Sequence, residues 1–248
     1  MIATALVSWS SAAHAQVNVE PLRQQVTDAG FGARISASAT SYAGNTQGVI
    51  LGTSALGGLH IERQTSYVVL SGDYARLNGV VSVAKWFAHA RHNYEVFGWL
   101  LWEAYGQIES DRFRRVTLRE LVGTGPRFVL HRGEALELFY GASYMYEHTK
   151  LDTVDRSSAG EGDAHRFSNY VALTLRAHER IGLSSVTYVQ PRFDAPSDFM
   201  LLTVNTAAFT ITKLLRSRLD VTARYDSVKP FDVKATDLEL KSALELVF

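Results

Sequence analysis

Within the five residues from His165 to Asn169 the chain holds a base, a hydroxyl and an amide: His165, Ser168 and Asn169. Those are the ingredients of nucleophilic hydrolysis, in which the base must come within about 3 Å of the hydroxyl proton. In an extended chain, residues two apart share a face and residues three apart do not. His165 and Ser168 are therefore expected on opposite sides of a strand, with Ser168 and Arg166 turned to the same interior. A second cluster, Asp152, Asp155, Glu161 and Asp163, has the chemistry to attract calcium or to bridge divalent cations to lipopolysaccharide phosphates. Its spacing matches no calcium loop, and the plainer reading is a solvated acidic loop. The eight histidines show no zinc spacing. Gly123 and Gly125 lie inside a strand-like run, where they mark a bend or bulge rather than a phosphate cradle. No catalytic, cofactor or metal site is assigned, and the chain is not expected to be an enzyme.

The elements that would carry these residues are strands. From Phe31 onward the chain breaks into runs with period-two alternation. Twelve are expected: 31–43, 47–59, 65–76, 81–92, 97–109, 113–130, 135–149, 164–178, 182–192, 198–210, 214–227 and 235–248. Several exceed the ~5–6 residues of an ordinary globular strand and match the ~9–11 tilted residues that cross a bilayer. Connections alternate in character. Residues 150–163, 192–197 and 227–234 are long and polar, whereas residues 131–134, 179–181 and 212–213 are short. Short turns at one end and long loops at the other are the asymmetry of bacterial outer-membrane barrels. The tight hairpins at Gly44–Asn45 and Asn78–Gly79 break that rule.

Side-chain order sharpens the picture. In the last run Leu238, Leu240, Leu244, Leu246 and Phe248 share one face, and Asp237, Glu239, Lys241 and Glu245 share the other. The preceding run sets Leu215, Leu219 and Val221 against Arg216, Arg218, Asp220 and Arg224. A register opposing Arg224 to Asp237, Asp220 to Lys241 and Arg216 to Glu245 places unlike charges across from one another, although a register one pair away fits nearly as well and the plainer reading is that the charges are hydrated. Tyr225, Phe248, Tyr146, Trp86 and Tyr94 fall near strand ends on apolar faces, as an interfacial girdle requires. The expected lumen residues are Glu103, Arg115, Arg119, Arg176, Arg216, Arg218, Asp220, Arg224, Asp237, Glu239, Lys241 and Glu245. Twelve strands lie between barrels filled by their own side chains and barrels that leave channels, and mixed inward charge favours a narrow or plugged lumen.

Composition permits this. Twenty-five basic residues balance 25 acidic ones, so nothing points to nucleic acid. Mean hydropathy is −0.04 and the longest apolar stretch, residues 96–102, is far short of the ~20 residues of a spanning helix. Cysteine is absent, as suits an oxidising compartment. Residues 3–7 are apolar, and Ala13 and Ala15 before Gln16 form a small-x-small cleavage site. Residues 1–15 are expected to be a signal peptide with a shortened start. Residues 16–30 would be a brief periplasmic segment with a turn or two of helix, and 31–248 one all-β, antiparallel transmembrane barrel.

The stretches Glu103 to Gln107, Phe113 to Arg115, Leu118 to Phe128, His165 to Tyr170, Tyr188 to Pro191, Ser197 to Phe199 and Tyr225 to Ser227 together resemble the domain of unknown function 481 family. Its members are predicted outer-membrane barrels, often labelled salt-induced outer membrane proteins. The resemblance implies fold and location and carries no chemistry. Leu240, Leu244, Leu246 and Phe248 resemble the C-terminal signal read by the outer-membrane assembly machinery, with Ser242 a departure from it. His165, Ser168 and Asn169 are similar to the His-x-Ser-Asn arrangement of outer-membrane phospholipases. The expected partners are outer-membrane lipids, lipopolysaccharide and the assembly machinery. A structural or envelope-stress role leads, with a small passive pore and a lipid-modifying enzyme as alternatives.

Overall fold

The computed structural model describes residues 26, 30–42, 48–152, 160–230 and 233–247. The expected signal peptide, most of residues 16–30, the Gly44–Asn45 hairpin, Asp155 and Phe248 lie outside the described residues.

Twelve antiparallel strands close into one barrel: β1 Phe31–Tyr42, β2 Gly48–Ile61, β3 Gln64–Leu77, β4 Val80–Phe97, β5 Leu100–Asp111, β6 Val116–Arg132, β7 Leu136–Leu151, β8 Gly162–His178, β9 Ile181–Pro191, β10 Phe199–Thr210, β11 Leu215–Asp226 and β12 Thr236–Val247. Each strand pairs with its sequence neighbours, and β1 meets β12 to complete the cylinder. Closure gives every strand two neighbours, as strands lying in lipid require, with β1 and β12 joined over part of their length. Turns at the β2–β3, β4–β5, β6–β7, β8–β9 and β10–β11 end are short, and the longer connections 152–161, 192–198 and 227–235 gather at the other.

The barrel is turned inside out relative to a soluble protein. Leu238, Leu240, Leu244, Leu246, Val122, Val171 and Phe167 stand on the exposed outer face, while Arg34, Glu103, Arg119, Arg127, Glu147, Arg166 and Glu245 are buried within. Exposed apolar residues on nearly every strand suit a hydrocarbon solvent better than water. Aromatic rings gather toward both ends of it. On the turn side Phe97, Trp99, Phe128 and Tyr140 stack in sequence with centroids 5.9, 6.3 and 6.3 Å apart. On the loop side Phe193 packs at 6.1 Å from both Tyr144 and Phe167. Trp86 and Tyr94 mark the two levels on β4, both exposed. Eight residues of tilted strand separate them, about 20 Å along the barrel axis, close to the ~25 Å apolar band of such barrels.

The fourth to sixth strands depart most from expectation. β4 runs on to Phe97 and β6 starts at Val116 rather than 113. A 3-10 turn, Arg112–Arg114, and Arg115 at φ 59° take up the reversal between β5 and β6. A left-handed residue without glycine or asparagine gives little warning in sequence. Gly123 and Gly125 do not mark a bulge, since pairing on both sides keeps one register. The ring of Tyr105 lies where a Gly123 side chain would stand, and the ring of Tyr170 covers Gly141 in the same way. These glycines make room for aromatic rings that fill the interior.

Candidate functional site

The lumen is built in three layers. At the turn end an open vestibule of about 520 Å³ is lined by residues including His60, Arg63, Arg132, Glu137 and Arg176. Its floor is Arg127, whose guanidinium lies 4.1 Å from the Phe139 ring centroid and donates to the Tyr170 hydroxyl at 3.3 Å. Beside it Val26, fully buried, packs with Tyr67, Val69 and Phe87 inside the barrel. The Val26 carbonyl accepts from Gly30 N–H at 2.8 Å, one α-helical turn. Val26, from the segment preceding β1, therefore enters the lumen, and the rest of residues 16–29 lie outside the described residues. An apolar residue next to an aromatic-lined interior is better buried there than hydrated.

The middle layer is buried. Glu103 is fully buried; it accepts from the Tyr170 hydroxyl at 2.6 Å and lies 3.8 Å from Arg91 Nη1. The Arg91 guanidinium stands 5.4 and 5.5 Å from the Tyr105 and Tyr170 ring centroids, within cation–π range. Tyr105 hydrogen-bonds Ser143 at 2.9 Å, and Gln190 donates to Ser168 at 2.9 Å. Phe139, Ala172, Val186, Tyr188, Leu202 and Val204 complete the packing.

The third layer, under the loops, is ionic. Arg119 bridges Glu147 and, at 3.1 Å, Glu109. Glu147 also accepts from Arg166 at 2.8 Å, and Arg166 reaches Asp198 at 3.1 Å. Asp226 takes Arg114 at 2.7 Å and Arg224 at 3.0 Å. Only about 50 Å³ is left between them. This cleft and the turn-side vestibule share no lining residue, because the middle layer separates them. Outside the barrel wall, Arg192 donates to Asp194 at 2.7 Å and holds that loop carboxyl down at about 2.

The expected lumen residues divide. Glu103, Arg119, Arg224 and Glu245 are buried inside. Arg218, Asp220, Glu239 and Lys241 are largely covered and ion-paired; Arg216 and Asp237 are half-buried. Arg176 is exposed and lines the vestibule, since it lies at the turn-side end of β8 where the barrel opens. Arg115 is corrected outright. It occupies the turn before β6 instead of an inward strand position, because the chain reverses there.

The β11–β12 register pairs Arg216 with Glu245, Asp220 with Lys241 and Arg224 with Asp237, as the charge order suggests. The side chains also reach further: Glu245 meets Arg218, Lys241 meets Asp73 at 2.7 Å, and Glu239 meets Lys85 at 3.1 Å. Long cationic side chains span the lumen more readily than they fold onto the adjacent strand. Sequence reasoning missed Arg34, Asp73, Lys85, Arg91, Glu109 and Arg127; the signal available was the inner-face row His89, Arg91, Asn93 and its counterpart Gln107, Glu109, Asp111.

His165 and Ser168 fall on opposite sides of β8. His165 packs outside against Tyr144 and Tyr146, and Ser168 is fully buried in the lumen. The strand itself separates base from hydroxyl. Among the described residues no three His, Asp or Glu side chains converge as a metal site.

The chain thus forms a closed, twelve-stranded barrel with a polar interior. The family described as protein of unknown function, DUF481, matches residues 26–248. The chain belongs to that family. Among solved structures the chain is similar to the NanC porin, at 8% identity and TM-score 0.50, covering 88% of this chain and 98% of that one. It is also similar to a bacterial polysaccharide outer membrane secretin (10%, TM-score 0.45, 88% and 97%). The KdgM porin in complex with disordered oligogalacturonate gives 5%, TM-score 0.45, 88% and 96%. At such identities the NanC likeness speaks for the barrel fold alone. No curated protein matches the sequence.

Proposed function

We propose that this DUF481 protein is a structural outer-membrane barrel with a closed axis, rather than a general diffusion pore. Its short turns face the periplasm and its longer loops the exterior, the arrangement of bacterial outer-membrane barrels. One observation carries the reading: the Arg91–Glu103–Tyr170 layer is fully buried and separates the turn-side vestibule from the loop-side cleft. A solute moving along the axis would have to break buried ion pairs whose loss costs roughly 3–5 kcal/mol each. On this reading the partners are bilayer lipids and lipopolysaccharide around the apolar band. The assembly machinery would recognise Leu240, Leu244, Leu246 and Phe248 during insertion.

The 520 Å³ vestibule supports a second reading, a passive pore whose middle layer moves aside. Proteoliposome swelling in small sugars separates the two. The closed-axis reading predicts swelling no faster than in empty liposomes, and rapid swelling with a five-carbon sugar would replace it with the pore.

A further inference from the structure

One junction of the barrel differs from the rest. Among the described residues β1 pairs with β12 over four residues, Arg34–Ala37 against Leu244–Val247. On its other side β1 pairs with β2 from Phe31 to Tyr42, and β12 pairs with β11 from Thr236 to Leu246. The loop-ward halves, Ser38–Tyr42 and Thr236–Ala243, are thus strands held by one neighbour each, with no ladder between them. Backbone groups facing such a gap have no water to bond in the hydrocarbon region, so this is the weakest line in the wall.

What spans the gap is ionic. Lys241 donates to Asp73 at 2.7 Å, Lys85 donates to Glu239 at 3.2 and 3.1 Å, and Lys85 lies 3.4 Å from Asp73. These contacts run from β12 past β1 and β2 to β3 and β4. Gly52 on β2 makes the passage: a Cβ there would fall 2.7 Å from both Ser38 Oγ and Asp73 Oδ1, and 3.6 Å from Lys241 Nζ. On the outer face at the gap stand Leu238 and Leu240, both exposed and apolar, with Ile35 and Leu244 exposed beside them on the paired stretch.

We propose that the loop-ward half of the β1–β12 seam is a lateral gate, held shut by the Asp73–Lys241 and Lys85–Glu239 pairs. Opened, it gives an amphiphile's polar head sideways access to the lumen while its tail stays in the bilayer. A closed axis and a lateral gate are separate properties, and the test below reads only the second.

The chain has no cysteine, so single thiols report cleanly. A Ser38→Cys variant, reconstituted in phosphatidylethanolamine vesicles doped with headgroup-maleimide phosphatidylethanolamine, is followed by mass shift. Adding Asp73→Asn and Lys85→Met should speed its labelling about tenfold or more, the factor given by each 1.4 kcal/mol in a two-state equilibrium. Charge reversal, Asp73→Lys with Lys241→Asp, should restore slow labelling and so shows that the barrel still folds. Outward Ala37→Cys should label equally in every background. Nitroxide pairs supply a second measurement. A Ser41→Cys/Leu240→Cys pair should lengthen by at least one strand spacing, ~4.8 Å, in the latch variant, with an Ile35→Cys/Leu246→Cys pair unchanged. Labelling of Ser38→Cys that ignores the latch, or equal lengthening of both nitroxide pairs, would overturn the gate.

Discussion

Truncating Glu147 to alanine tests whether the lumen is dry. Its carboxylate is buried and receives both Arg119 and Arg166. Removing it leaves two buried guanidinium groups short of a partner, although Arg119 keeps Glu109 and Arg166 keeps Asp198. Breaking a buried pair costs roughly 3–5 kcal/mol. The surviving partners place Glu147→Ala near the lower bound, about 3 kcal/mol, or roughly 150-fold in the unfolding equilibrium at 1.4 kcal/mol per decade. Urea titration of the barrel in lipid vesicles, followed through Trp86, Trp99 and Trp102, reads this as a shift in midpoint with unchanged slope. A control at the exposed Arg132–Glu95 pair, 3.6 Å apart, should cost no more than about 1 kcal/mol. If Glu147→Ala behaves like that control, the third layer is hydrated and the reasoning from burial to closure fails.

Other residues give independent checks. Tyr170→Phe removes the 2.6 Å hydrogen bond to Glu103 and should cost about 1.5–3 kcal/mol by the same titration, the range for a bond to a charged group. Gly141→Val drives a side chain into the Tyr170 ring, and an overpacked interior of this kind should lose about 1–3 kcal/mol. The Asp194 carboxyl, lowered to about 2 by Arg192, should titrate there by NMR. Because its folded value is depressed, the Arg192–Asp194 contact is fully present above the ordinary carboxylate range and is lost as pH falls through about 2; Arg192→Ala should return the titration toward ~3.9. Deleting Phe248 should reduce the fraction of chain that becomes heat-modifiable barrel in cells, while refolding into detergent stays unchanged.

The barrel was legible wherever one face was uniformly apolar. β12 alternates so cleanly that its Leu face and its charged face separate on sight, and the register the structure adopts is one of the two that the β11–β12 charge order allows. β4 shows the limit. Its outer row, Trp86, Ala88, Ala90, His92 and Tyr94, and its inner row, Phe87, His89, Arg91 and Asn93, both mix apolar and polar groups, so alternation cannot say which faces lipid. The same ambiguity hid which aromatic rings fill the interior. Tyr67, Tyr105, Tyr170 and Tyr188 point inward, although aromatics on strands of this kind read first as girdle residues. Contacts between distant strands were illegible for a different reason. Lys241 and Asp73 are 168 positions apart, and only closure of the cylinder brings them together.

Single-channel recording in a planar bilayer tests the closed axis most directly. With the Arg91–Glu103–Tyr170 layer in place, the purified barrel should insert without raising conductance above the bare membrane. Removing the layer with Arg91→Ala and Tyr170→Ala together should produce discrete steps. Steady, uniform conductance steps from the unaltered protein would contradict the account.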